Sequence, residues 1–252
     1  MNSNPLISII TPTYNSLPHI QQTIRSIQAQ TYPHWELLIT DDASTDETVA
    51  QVESMAAADP RIRLFKLPQN SGAAVARNYS IQNAHGDFVA FCDADDCWVA
   101  TKLEKQLAFM GDSIHFSFTA YELIDQHGTR LGQTVDSTQH GSFSYKDMLR
   151  KKATMGCSTV LLRRSVFPDL SMPLIRTGQD YALWLKLLKT GIRATVLPEI
   201  LTQYRILPDS ISRNKIKKAK RQWEIYRQIE HLSLATAASS FLFYAWRAVF
   251  RR

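Results

Sequence analysis

The feature that most constrains this chain is an alternation within its first 92 residues. Four apolar, β-prone runs (residues 6–11, 35–40, 61–67 and 87–92) are separated by stretches that read as helices. Ser16 followed by Pro18 marks a helix start running to residue 30. Ser44-Thr45-Asp46-Glu47 has the spacing of a capping box, which predicts a helix from there to about residue 58. Residues 72–84 read as a third helix. Strands alternating with helices predict an α/β fold: a doubly wound, mostly parallel sheet flanked by helices. Ligands of such sheets bind beyond the carboxyl ends of the strands. Polar clusters fall at those four ends: residues 11–15, Asp41-Asp42, residues 70–72 and residues 93–96. Their coincidence predicts a single site.

The last cluster, Asp93-Ala94-Asp95-Asp96, follows the apolar run Phe88-Val89-Ala90-Phe91-Cys92. Side chains alternate along a strand, so Asp93 and Asp95 can project the same way. Carboxylates held a few ångströms apart repel unless a cation or strong donors lie between them. Hard oxygen ligands suit Mg²⁺ or Mn²⁺, ions that keep waters and share a substrate's phosphates. A solvated acidic turn is the other reading of these residues alone. Cys92 and Cys97 flank the cluster, but soft thiolates match those ions poorly, and the two read as small packing residues.

Several classes fall away. Neither G-x-G-x-x-G nor a Walker A loop follows the first strand, which removes nicotinamide enzymes and P-loop ATPases. Three cysteines without a C-x-x-C, and scattered histidines without H-E-x-x-H, argue against a disulfide framework and against zinc. The acid pocket of a phospho-receiver domain also sits at strand ends, but that module is about half this length and orders its acids differently. The amino-terminal residues lack a basic n-region, so no signal peptide is expected and a cytoplasmic setting follows.

In order, Ile9-Ile10-Thr11-Pro12-Thr13-Tyr14-Asn15, Leu38-Ile39-Thr40-Asp41-Asp42-Ala43-Ser44-Thr45-Asp46, Asn70-Ser71-Gly72 with Ala76-Arg77-Asn78, and Asp93-Ala94-Asp95-Asp96 resemble the inverting family 2 glycosyltransferases of the GT-A fold. The resemblance is close over residues 5–110 and looser at Gly178-Gln179-Asp180-Tyr181-Ala182-Leu183-Trp184 and Tyr204-Arg205. Its nearest likenesses are enzymes that build bacterial surface polysaccharides. It implies a GT-A domain over residues 1–211, with a nucleotide-binding half (1–112) and an acceptor-binding half (113–211). The implied reaction is inverting transfer from a nucleotide diphosphate sugar to a saccharide or polyprenyl-linked acceptor, with Mn²⁺ or Mg²⁺ as cofactor.

The resemblance also carries roles. Pro12 and Tyr14 would line the base slot; from the residues alone, Tyr14 could equally be ordinary core. Asp42 matches a carboxylate that accepts from a pyrimidine N–H, while Asp41 suits a backbone donor at the next helix start. Gly72 belongs to the loop before Arg77, whose guanidinium suits ribose or diphosphate; a surface ion pair is the alternative. Asp95 matches the direct metal ligand, and Asp93 a group meeting ribose or the metal. Asp180 matches the general base, although Gln179 replaces the acid that usually precedes it, and a helix N-terminus also favours a carboxylate there. Residues 204–205 and 210–212 resemble a closing loop over the diphosphate.

Residues 202–252 hold 11 Lys and Arg against 3 Asp and Glu, more than the whole chain's net +6. They read as a basic and aromatic helical extension from 212 to 252, too short and too interrupted to span a bilayer. Such a helix either meets an anionic membrane surface or packs on the core. Nucleic acid rests on tail charge alone and is not expected. Gln179 motivates one rival to the enzyme, a non-catalytic nucleotide- or glycan-binding protein. A sugar-nucleotide pyrophosphorylase is excluded by the missing Gly-rich, Arg-bearing signature at the first strand.

Overall fold

The computed structural model describes residues 4–207 and 215–250, with side chains described over 4–207 and 217–247. The amino-terminal half alternates as its sequence predicts: β1 (Ile7–Thr13), α1 (Leu17–Gln28), β2 (Trp35–Asp41), α2 (Thr48–Ala58), β3 (Ile62–Lys66), α3 (Ala73–Gln82) and β4 (Phe88–Phe91). A short β5 (Cys97–Trp98) and α4 (Lys102–Met110) lead into β6 (Phe116–Ile124), β7 (Arg130–Val135), β8 (Ser142–Phe143) and α5 (Tyr145–Leu149). Then come β9 (Val160–Arg163), α6 (Gln179–Leu188), β10 (Ala194–Arg205), α7 (Lys215–Glu224), a π-helical turn at Ile225–Ile229, and α8 (Leu234–Phe250).

One sheet runs through the molecule in the order β3-β2-β1-β4-β9-β6-β10-β5, with β7 on β6 and β8 on β10. The four amino-terminal strands pair in parallel. Beyond β4 the sheet becomes mixed: β9 runs antiparallel between β4 and β6, and β6 pairs parallel with β10. Strand order reverses at β1, which lies between β2 and β4, and a crevice opens at such a reversal.

Alternation along the buried strands sends side chains into two cores. Ile7, Ile9, Leu37, Ile39, Phe88 and Ala90 meet α1, α2 and α4 on one face. Ile10, Leu38, Val89 and Phe91 face α3, α5, α6 and the carboxy-terminal helices on the other. Ile225, Tyr226 and Ala237 are fully buried parts of that second core, so the carboxy-terminal segment packs as part of the body. Two expectations change. The capping box does not form: Glu47 occupies the N-cap of α2 without a side-chain bond, because the Ser44 hydroxyl is committed to Asp41. β10 runs far beyond the apolar run at 193–196 that alone reads as a strand in the sequence, with register shifts against β6 around Leu197 and Ile200.

Candidate active site

One side of the crevice is built from the loops after β1 and β2, zipped together. Asp41 accepts from the Ser44 amide at 2.9 Å and from its hydroxyl at 2.5 Å, closing the turn after β2 as a helix-start carboxylate does. Asn15 at the end of β1 accepts from the Thr45 amide at 2.8 Å, and its own amide donates to Ser44 Oγ at 2.9 Å. Between these loops Tyr14 is 48% exposed, so its ring is no core residue and is free to stack on a ligand. Pro12 is buried within β1 beneath it.

Asp42 is also buried, and both its carboxylate oxygens accept backbone bonds at 2.7 Å, from Ser71 and Gly72. It therefore clamps the loop that opens α3, leaving only the remaining lone pairs for a ligand. Gly72 sits at φ +94°, a conformation an L side chain rarely adopts, which is why glycine occupies the turn. One turn into α3, Arg77 is buried and pairs with Asp93 Oδ1 at 2.5 Å. That pairing is no surface contact: it lies inside the crevice, and the Asp93 charge holds the guanidinium protonated.

The carboxylates after β4 divide their labour. Asp93 meets Arg77, and its amide donates to Ser158 Oγ at 3.0 Å. Asp95 is raised to about 6 by burial and by the neighbouring Asp93 charge. Asp96 faces inward, where Oδ2 accepts from Ser158 Oγ at 2.5 Å and Oδ1 from the Arg205 amide at 2.9 Å. Asp96 is thus a bracket and not a ligand. Among the described residues no group of three or more His, Cys, Asp or Glu side chains forms a self-contained metal cage. Two carboxylates, one destabilised by the other, nevertheless fit Mg²⁺ or Mn²⁺, which take their remaining ligands from water and phosphate. Arg205, expected over the diphosphate, is instead buried beneath the loop. It donates to the Asp95, Asp125 and Gln126 carbonyls and to Gln22 Oε1, at 2.7 to 3.2 Å. Residues 210–212 lie outside the described residues.

Across the crevice Asp180 occupies the first turn of α6. Trp184, on the same helix, stacks edge-on against Phe91 and Phe116, which locks α6 over the end of β4. The Asn78 side chain makes two bonds to the Met172 backbone, pinning the loop that enters α6 onto α3. Gly178 caps the helix at φ +74°, and a Cβ there would come within 3.0 Å of Ile225. Burial raises the Asp180 pKa while the Arg77 charge opposes the rise. A carboxylate tuned upward is a better base near neutral pH. Arg77, Asp93, Asp95 and Asp180 all line one open cavity of about 880 Å³. Pro12, Tyr14, Asp42 and Gly72, expected at the nucleotide, do not line it. The sequence reading missed Ser158 and quoted Asn78 only within a motif, without a role, because both act on residues 65 and 94 positions away.

Residues 8–170 match Glycosyl transferase family 2. The chain is 46% identical over 252 residues to Bacillus subtilis (strain 168) TuaG, whose name describes a glycosyltransferase of teichuronic acid biosynthesis; the match covers 100% of this chain and 99% of that one. It is 40% identical over 222 residues to Escherichia coli WfgD, named a UDP-Glc:alpha-D-GlcNAc-diphosphoundecaprenol beta-1,3-glucosyltransferase, covering 87% and 85% of the two chains. Among solved structures, S. aureus TarS 1-349 in complex with UDP-GlcNAc superposes with a TM-score of 0.75 at 20% identity, over 97% of this chain and 73% of that one. A Pyrobaculum calidifontis mannosyltransferase in complex with GDP-Man and Mn²⁺ superposes with a TM-score of 0.72 at 18% identity, over 99% and 71%. With the family match over residues 8–170 and a relative 46% identical along the whole chain, on this GT-A scaffold, the chain belongs to glycosyl transferase family 2.

Proposed function

We propose that this glycosyltransferase moves a sugar, with inversion, from a nucleoside diphosphate donor to a saccharide carried on a polyprenyl diphosphate. The observation that carries the reading is that Asp180 shares one cavity with Asp93 and Asp95, close enough for the Asp93 and Arg77 charges to act on it. Tyr14 stacks on the base, and the loop clamped by Asp42 and Gly72 shapes the slot around it. The acceptor hydroxyl gives its proton to Asp180 as its oxygen attacks the anomeric carbon from the face away from the diphosphate. The bond from that carbon to the diphosphate oxygen breaks, and its electron pair leaves with the nucleotide. Asp95 and Asp93 would hold Mg²⁺ or Mn²⁺, which would supply positive charge against the departing diphosphate. The names of the 46% and 40% identical relatives support a surface-polysaccharide product, a uridine diphosphate donor and a lipid-linked acceptor.

A lipid-linked acceptor calls for work at a membrane surface. No helix among the described residues is long and apolar enough to cross a membrane. α8 instead turns Leu242 (70% exposed) and Trp246 (61%) outward, together with Leu234 and Phe243, beside Arg150 and Arg247. Apolar and cationic groups on one face suit the interface of an anionic bilayer.

Asp180→Asn tests the reaction directly. UDP affinity in Mn²⁺, read by calorimetry, should stay within about threefold of the parent, while transfer falls at least ~100-fold, the scale of general base catalysis. A parallel loss of both would make Asp180 a binding residue and remove the base.

A further inference from the structure

The cavity has a second wall that the reaction above does not use. Lys151, Arg176, Lys217, Lys218 and Arg221 line it, gathered from the turn after α5, the loop entering α6, and α7. Arg176, Lys217 and Arg221 continue into an adjoining cavity of about 480 Å³, where Lys220 joins them. Among the described residues the only carboxylate lining that second cavity is Glu224, already paired with Arg221 at 2.7 Å. Arg176 and Lys218 have no carboxylate partner among the described residues. Packing several cations together is unfavourable unless an anion is shared between them.

The position of this wall decides which anion. Arg176 stands on the loop that leads into α6, four residues before Asp180, and Arg221 Nε donates to Thr177 Oγ1 of that loop at 3.1 Å. The cations therefore flank the base, whereas Tyr14 and Asp42 lie outside the cavity altogether. A donor's diphosphate has its own place at Asp93 and Asp95, next to the nucleotide slot. Tyr244 of α8, the helix with the outward apolar face, completes the cationic side. An acceptor meeting these groups in order would offer a hydroxyl to Asp180, an anion to the cations, and an apolar tail to α8.

We propose that Arg176 and Lys218, supported by Lys217 and Arg221, form a subsite for the diphosphate that joins the acceptor saccharide to its lipid. This rests on the transferase reading above and adds the part of the acceptor that is recognised. Guanidinium and ammonium groups suit phosphate oxygens, and each charge-assisted bond is worth roughly tenfold in affinity.

The experiment uses the full chain and the double variant Arg176→Gln/Lys218→Gln. With UDP and Mn²⁺ saturating the donor site, farnesyl diphosphate binding is measured by calorimetry against farnesol. The parent should bind the diphosphate at least ~10-fold more tightly than the alcohol, and the variant should lose that margin. Displacement of farnesyl diphosphate by UDP would place it in the donor site and overturn the subsite. In transfer assays the variant should raise the KM of a prenyl-diphosphate-linked saccharide at least ~10-fold, with the KM of the same saccharide on a neutral octyl aglycone and the donor KM moved less than about twofold. Equal losses for both acceptors would overturn the proposal. So would loss of binding to phosphatidylglycerol vesicles in place of farnesyl diphosphate, since the cations would then read headgroups. Selective farnesyl diphosphate binding without transfer from any nucleotide sugar would uphold the subsite and defeat the transferase reading alone.

Discussion

Asp95 stands beside Asp93 at the end of β4, and burial with that neighbouring charge raises it to about 6. A dication relieves the repulsion, and so does loss of the charge. Asp95→Asn should leave the metal-free protein at least as stable as the parent, while abolishing the rise in melting temperature that Mn²⁺ with UDP gives and lowering transfer about 100-fold or more. A parent enzyme at full speed in EDTA would remove the metal from this site. Lys102 presents the opposite sign. It is fully buried on α4, with Gln106 Oε1 at 2.7 Å and the Trp98 ring at 4.4 Å, and burial lowers its pKa to about 7. Between pH 7 and the unfolded value of 10.5 the unfolded chain holds the extra proton, so stability from this group rises with pH across that window and is lowest below 7. Lys102→Met should therefore be more stable than the parent in urea at pH 6, by a few kcal/mol at most, with the gap narrowing by pH 9. A gap independent of pH would mean that Lys102 is not buried as an unpaired amine. Neither behaviour is legible from a lysine or aspartate in a string, because desolvation depends on what the fold stacks over it.

At the scale of elements, the loop of Asp93, Asp95 and Asp96 is held from behind by the end of β10. Arg205 closes β10 and ties the Asp95, Asp125 and Gln126 carbonyls to Gln22 of α1, while its amide reaches Asp96. Arg205→Leu leaves these buried acceptors unmatched and should cost about 3 kcal/mol or more in urea unfolding. If the folded variant binds Mn²⁺ with UDP as the parent does, the loop does not need this brace. The sequence marks Arg205 as part of a motif, yet its neighbours there suggest a ligand contact; only the crossing of β10 beneath the loop turns it inward. Local pattern served well where an element is buried on both faces, as in β1, β2 and β4, whose near-continuous apolar runs match the observed strands. It served poorly at β7, an exposed strand interrupted by Gly132, and at β10, where Pro198 breaks the run that β6 pairing carries through. The Ser44 capping box failed for a related reason: a stronger acceptor, Asp41, stood within reach of the same hydroxyl.

Over the whole molecule, the carboxy-terminal helix follows the packing reading of its sequence, and the membrane reading rests on its outward face as a proposal. Its inner face is core, with Ala237 fully buried and Phe241 packed edge-on to Trp223, so truncation before residue 233 should destabilise the fold as well as alter its surface. Leu242→Glu/Trp246→Glu changes only the outward face, and should weaken co-sedimentation with anionic vesicles at low salt while moving the melting temperature by less than about 2 °C. Vesicle binding equal to the parent would assign those side chains to another partner. By itself the sequence determined the family, the α/β alternation, and the cluster of polar strand ends, because hydrophobic periodicity and short motifs are local and survive without knowledge of neighbours. Only the tertiary structure decided that Asp180 shares a cavity with Asp93 and Asp95, that Asp96 and Arg205 are braces, and that five cations besides Arg77 line the same cavity. Those relations join residues far apart in the chain, and the packing of α6, α7 and β10 against the sheet brings them together.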